Sequence, residues 1–171
     1  NASTGTSETI LIGREAGESS SAMSESIVMG KTSAKLATNV DNSVIIGSLA
    51  GSGATNCYQG VSIGYYASVG SISNQYSVSI GSSAGYQVFS GGAAVFLGNR
   101  AGYQAYNPDS SVFIGSSAGY QNSLTLSSVV IGNSSAYKAY SMSSSVVIGS
   151  KAAYEASGSP NSVIIGASAL A

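Results

Sequence analysis

The sequence predicts an all-β fold, a parallel β-solenoid of ten 17-residue coils. Three observations carry this reading. Gly13, Gly30, Gly47, Gly64, Gly81, Gly98, Gly115, Gly132, Gly149 and Gly166 recur every 17 residues without an insertion. Three residues before each glycine stands Ile10, Ile27 or one of eight valines, from Val44 to Val163, and just before each stands Ile, Leu or Met. A small residue follows each glycine by three positions: Ala in eight repeats, Ser33 and Ser135 in the others. An unbroken period means that each repeat is one unit stacked on its neighbours.

Each coil reads in the same order. The β-branched residues before the glycine make a short strand, from Ile10–Ile12 in the first repeat to Val163–Ile165 in the last, and the glycine bends the chain away. The small residue beyond the bend suits a narrow interior. A helical solenoid is excluded, because no 3.6-residue pattern survives beside these positions. Stacked at about 4.8 Å per coil, ten coils give a rod roughly 48 Å long.

The two strand columns flanking the middle residue share one face and are expected to form the core. The middle residue is then expected to point outward. It reads Leu11, Val28, Ile45, Ser62, Ser79, Phe96, Phe113, Val130, Val147 and Ile164, eight of ten apolar. Such a stripe is too large to leave in water. The expected oligomer interface is therefore Leu11, Val28, Ile45, Phe96, Phe113, Val130, Val147 and Ile164. Five residues after the glycine, Tyr86, Tyr103, Tyr120, Tyr137 and Tyr154 form a second column, expected to stack ring on ring. It is a candidate ligand surface for flat sugar rings, weighed against a purely structural ladder.

Composition removes several function classes. Only 8% of residues are charged, the net charge is -1, and histidine and tryptophan are absent. Nothing provides an electrostatic footprint for nucleic acid, and no apolar run is long enough for this segment to insert as a membrane helix. Cys57 stands alone, so neither a disulfide framework nor a thiolate metal site is expected. Without histidine the common general base is missing. Asp41 and Asp109 lie four coils apart, and the serines have nothing to activate them. Glu8 and Glu25 share a column and are read as a solvated face rather than a cation site. No catalytic, cofactor-binding or metal-binding residue is expected, and the chain is read as a non-enzyme. Eight of the thirteen charges fall between Glu8 and Asp41, and residues 42 to 99 carry none. So neutral a surface suits a fibre or an assembly better than a free monomer.

Ser43-Val44-Ile45-Ile46-Gly47, Ser128-Val129-Val130-Ile131-Gly132 and the run Ser111-Val112-Phe113-Ile114-Gly115-Ser116-Ser117-Ala118-Gly119-Tyr120 resemble repeats of trimeric autotransporter adhesin heads and of phage tail-fibre segments. The resemblance spans essentially all ten repeats. It implies a left-handed parallel β-roll, three chains side by side as a homotrimer, and an extracellular place on a cell surface or virion tail fibre. The implied function is attachment to a cell surface or matrix, with a host cell-surface glycan or protein as partner. Residues 1–171 are read as a single repeat domain, a fragment or a stackable subunit of a longer fibre. Two alternatives remain: a filament-forming subunit stacking end to end, and an ice-binding solenoid, although the threonine columns usual for the latter are missing. A polysaccharide-cleaving spike is disfavoured by the scarcity of acids.

Overall fold

The computed structural model describes residues 7–170; the chain ends, on which the stacking alternative turns, lie outside them. Ten three-residue strands follow one another: β1 (Ile10–Ile12), β2 (Ile27–Met29), β3 (Val44–Ile46), β4 (Val61–Ile63), β5 (Val78–Ile80), β6 (Val95–Leu97), β7 (Val112–Ile114), β8 (Val129–Ile131), β9 (Val146–Ile148) and β10 (Val163–Ile165). They form one parallel sheet in sequence order. Its register is one whole repeat, so that Val112 pairs with Val129 and Phe113 with Val130. A second line of parallel bridges runs from Ser21 through Thr38, Thr55, Ile72, Phe89, Tyr106, Ser123 and Tyr140 to Ser157. The parallel β-solenoid expected from the period is the fold. We call the 17 residues beginning with strand βn coil n.

The strands face the other way from the expectation. Val28, Phe96, Phe113, Val130 and Val147 are fully enclosed, and Ile45 and Ile164 nearly so. The flanking columns are exposed or half-exposed along the whole rod, up to 72% at Val163. The middle column is the core, and the Val/Ile columns are the outer surface. A three-residue strand that is apolar throughout satisfies either assignment, and a one-residue change of facing exchanges the two surfaces.

Closure of the coil decides the matter. In most coils the middle residue meets the position six residues later, and in several of them the two sizes compensate. Phe96 and Phe113 face Gly102 and Gly119, where an added Cβ would overlap the phenylalanine ring. Val28, Val130 and Val147 face Ala34, Ala136 and Ala153 at the same positions, all buried. Behind them the expected small column, including Ala50, Ala84, Ala101, Ala118 and Ala152, is buried as well. This is interior packing at crystal-like density, where one side chain grows only as its partner shrinks.

The glycine column has a backbone reason. Gly47 sits at φ 137°, and a Cβ there would overlap the carbonyl of Gly64 in the next coil. That combination excludes every L side chain.

A serine column lines another interior edge. The Ser26 hydroxyl donates to the Val40 carbonyl at 3.1 Å and accepts the Ser43 amide at 3.0 Å. The Ser128 hydroxyl repeats this with Met142 and Ser145 at 2.7 and 3.1 Å. Much of the serine content is thus structural, knitting successive coils through buried backbone groups that would otherwise go unpaired.

Candidate functional site

No cleft with converging titratable groups occurs among the described residues, and they contain no cluster of three His, Cys, Asp or Glu side chains. Asp41 is taken up by the neighbouring coil, accepting from the Ser24 amide at 2.7 Å and from the Ser24 hydroxyl at 3.0 Å. Asp109 lies in the same column four coils on, roughly 19 Å away at the strand spacing. The two are not brought together. Burial pushes the Cys57 thiol above its ordinary pKa, and its Sγ donates weakly to the Thr55 and Ser71 carbonyls. It is a buried core residue whose thiolate form is disfavoured.

What the rod presents is surface, and two faces stand out. The first is the outward side of the sheet. Strand pairing places the outer residues of β1 to β10 in two parallel apolar columns at one-coil spacing. Ile10, Ile12, Ile27, Met29, Ile80, Val163 and Ile165 are exposed, and the rest of the columns is half-exposed. The strip is about 48 Å long and 10 Å wide, on the order of 500 Å², at the upper end of what a single soluble chain ordinarily leaves in water.

The interface residues expected from the sequence do not lie on this strip. Leu11, Val28, Ile45, Phe96, Phe113, Val130, Val147 and Ile164 occupy the interior column. All but Leu11, in the first coil, are buried. They are unavailable to a partner because the coil closes over them. The residues that replace them are their immediate neighbours, such as Val112, Ile114, Val129 and Ile131. The compensating pairs Phe96/Gly102 and Val130/Ala136 were the signal in the sequence that would have turned the strand the right way round.

The second face is aromatic. Tyr86, Tyr103, Tyr120, Tyr137 and Tyr154 stack as expected, with centroid separations of 4.7, 5.0, 4.8 and 4.9 Å and ring planes within 6° of parallel. Each ring is half-buried. One residue on, an amide ladder accompanies them: Gln104 donates to Gln87 at 2.9 Å and Gln121 to Gln104 at 2.8 Å. Lys138 Nζ lies 5.7 Å from the centroid of the Tyr137 ring, within cation–π range. Burial between the neighbouring rings pushes the Tyr103 phenol above its usual pKa, with Tyr86 and Tyr120 adding to the effect. A second aromatic pair, Phe89 and Tyr106, stacks at 5.2 Å on the bridge column. The period alone did not mark that pair, because its column also holds Thr55 and Ser123.

Charge is concentrated in the early coils. Lys35 Nζ is held between Glu15 and Glu18, 2.8 Å from each. The hydrogen bond to Glu15, followed by the one to Glu18, raises the Lys35 pKa.

No protein family matches this sequence, and no curated protein is similar to it.

Proposed function

We propose that this chain is a non-catalytic structural and adhesive fibre segment. Copies of it assemble side by side through the outward Val/Ile strip and present the tyrosine ladder for contact with a cell-surface or matrix glycan or protein. The trimeric, left-handed and extracellular form is the one implied by the resemblance to adhesin heads and tail fibres. The observation that carries the reading is the strip itself. Ten successive coils keep Val, Ile, Leu or Met at both outward positions, whereas the enclosed column varies from Ser to Phe. A partner rod meets every coil in the same way, so uniformity belongs on the face that touches it. Repeated weak contacts along such a bundle gain strength by multivalency.

The test is the mass in solution by light scattering after size exclusion. The expected result is a discrete trimer. Ile131→Asp places a charge on the strip without entering the core and should yield a folded monomer with an unchanged circular-dichroism spectrum. Tyr120→Ser should leave the mass alone. A wild-type monomer overturns the assembly reading, and open-ended polymers favour the filament alternative.

A further inference from the structure

The strip is flanked on each side by an outward column, and beside β1 and β2 these columns carry opposite charge. Glu8 and Glu25 stand two residues before β1 and β2; Arg14 and Lys31 stand two residues after them. All four are exposed. Each strand and its glycine bend separate the acid before it from the base after it, and no ion pair joins the two columns among the described residues. Arg14 reaches only Glu15, at 3.8 Å, and Glu25 accepts from Asn42 in its own column. Within each column, like charges sit one coil apart, about 4.8 Å at the strand spacing. That placement is unfavourable for a single chain, because like charges on adjacent strands repel. Exchanging one acid with one base would have relieved it.

We infer that the acidic rim of one chain docks against the basic rim of a second copy, locking side-by-side chains parallel and in register. Rotation about a shared axis parallel to the rods brings one rim of each chain to the opposite rim of its neighbour at the same height. Glu8 then meets Arg14, and Glu25 meets Lys31. An antiparallel arrangement instead sets β1 and β2 against β10 and β9, whose flanking rim residues are Ser144, Ser150, Asn161 and Ala167, and leaves all four charges unpaired. The parallel register also brings exposed Tyr65 and Tyr76, which stand on opposite rims two residues after β4 and two residues before β5, to within one coil of each other across the seam. The uneven charge of the sequence thereby acquires a role: a polar key at one end of an otherwise neutral seam. The inference rests on the proposed side-by-side assembly and adds its polarity, its register and its means of rejecting other chains.

The experiment uses a fourfold rim exchange, Glu8→Lys, Arg14→Glu, Glu25→Lys and Lys31→Glu. Alone, this chain should assemble to the wild-type mass, since its own rims still complement each other. Refolded together with wild type at about 20 mM salt, it should co-assemble about tenfold less than random mixing gives, because every mixed seam sets acid against acid and base against base. Screening at about 1 M salt should restore random mixing. Separately, chains carrying Ser110→Cys and Ser116→Cys should form an interchain disulfide when mixed, as those rim positions face each other only in register. Random mixing at low salt, or a disulfide yield no higher than from unfolded chains, overturns the inference while leaving side-by-side assembly intact. A wild-type monomer overturns both.

Discussion

In coil 8 the inward positions are Val130, Ala136, Ala139, Met142 and Ser145; in coil 4 the same positions carry Ser62, Ser68, Ser71, Asn74 and Ser77. The backbones are indistinguishable in their pairing: Gly132 donates to Ile114 and Gly64 to Ile46, each at 2.8 Å. The interiors differ at four of these five positions, the serine of the last being common to both. Coil 8 belongs to an apolar cluster running from Ala84 to Ile164, and a separate cluster runs from Met23 to Ala50. Coil 4 is the gap between them. Its Ser62 and Ser68 hydroxyls bond to each other at 2.8 Å, and a cavity of about 10 Å³ lies beside them among Ile45, Cys57 and Asn74. The buried Asn74 Oδ1, and Ser79 Oγ in the next coil, accept no hydrogen bond. Coil stacking needs only the ladder and the glycine bend. The apolar filling decides how strongly each coil holds its neighbours, as expected where stability is a sum over repeats and interfaces.

The largest effect should come from emptying the apolar side of this comparison. Phe113→Ala removes a fully enclosed ring stacked 5.5 Å from Phe96 and should cost about 3–5 kcal/mol in denaturant unfolding. Ser62→Ala forfeits one hydrogen bond and should cost about 1 kcal/mol or less. The size pairing sharpens the test. Gly119→Ala should be strongly destabilising alone and largely rescued by Phe113→Val, which recreates the Val130/Ala136 pair. Additive costs in that cycle would refute the compensation argument.

A smaller and opposite effect should follow from giving coil 4 the interior of coil 8. Ser62→Val with Ser68→Ala adds about 1.5–3 kcal/mol of apolar burial and loses one hydrogen bond worth about 1 kcal/mol. The expected gain is about 1 kcal/mol. Hydrogen exchange should show amides of β4 and β5 opening before those of β7 and β8 in the wild type, with the difference narrowed in the double variant. Equal protection in the wild type would mean that the ladder alone sets local stability.

The smallest effect concerns pH. Tyr103 has its phenol raised above the usual 10.0 by burial in the ladder, so the native state favours the neutral form. Its contribution is complete below pH 10 and is lost as pH rises through the folded-state value. The thermal midpoint should therefore decline on the alkaline side, and Tyr103→Phe should flatten that decline. Coil 4, which lies outside the stacked Tyr86–Tyr154 ladder, should not respond to the Tyr103 substitution.

The sequence by itself determined the period, the number of strands, their parallel stacking and the stacked tyrosines. All of these follow from columns, and a column with a fixed period places its members one above another whatever the coil's cross-section. Gly47 and its equivalents were legible for the same reason, since only glycine tolerates both the positive φ and the close approach of the next coil. Which way each strand faces was decided only by tertiary structure. Val129, Val130 and Ile131 are all apolar, and alternation within three such residues carries no sign. Contact between Val130 and Ala136, or between Phe113 and Gly119, across the closed coil supplies it. The interior of one chain and the surface offered to its neighbours were therefore exchanged in the sequence reading. The candidate interface moved by one residue at every strand because coil closure, not strand composition, selects the face that is buried.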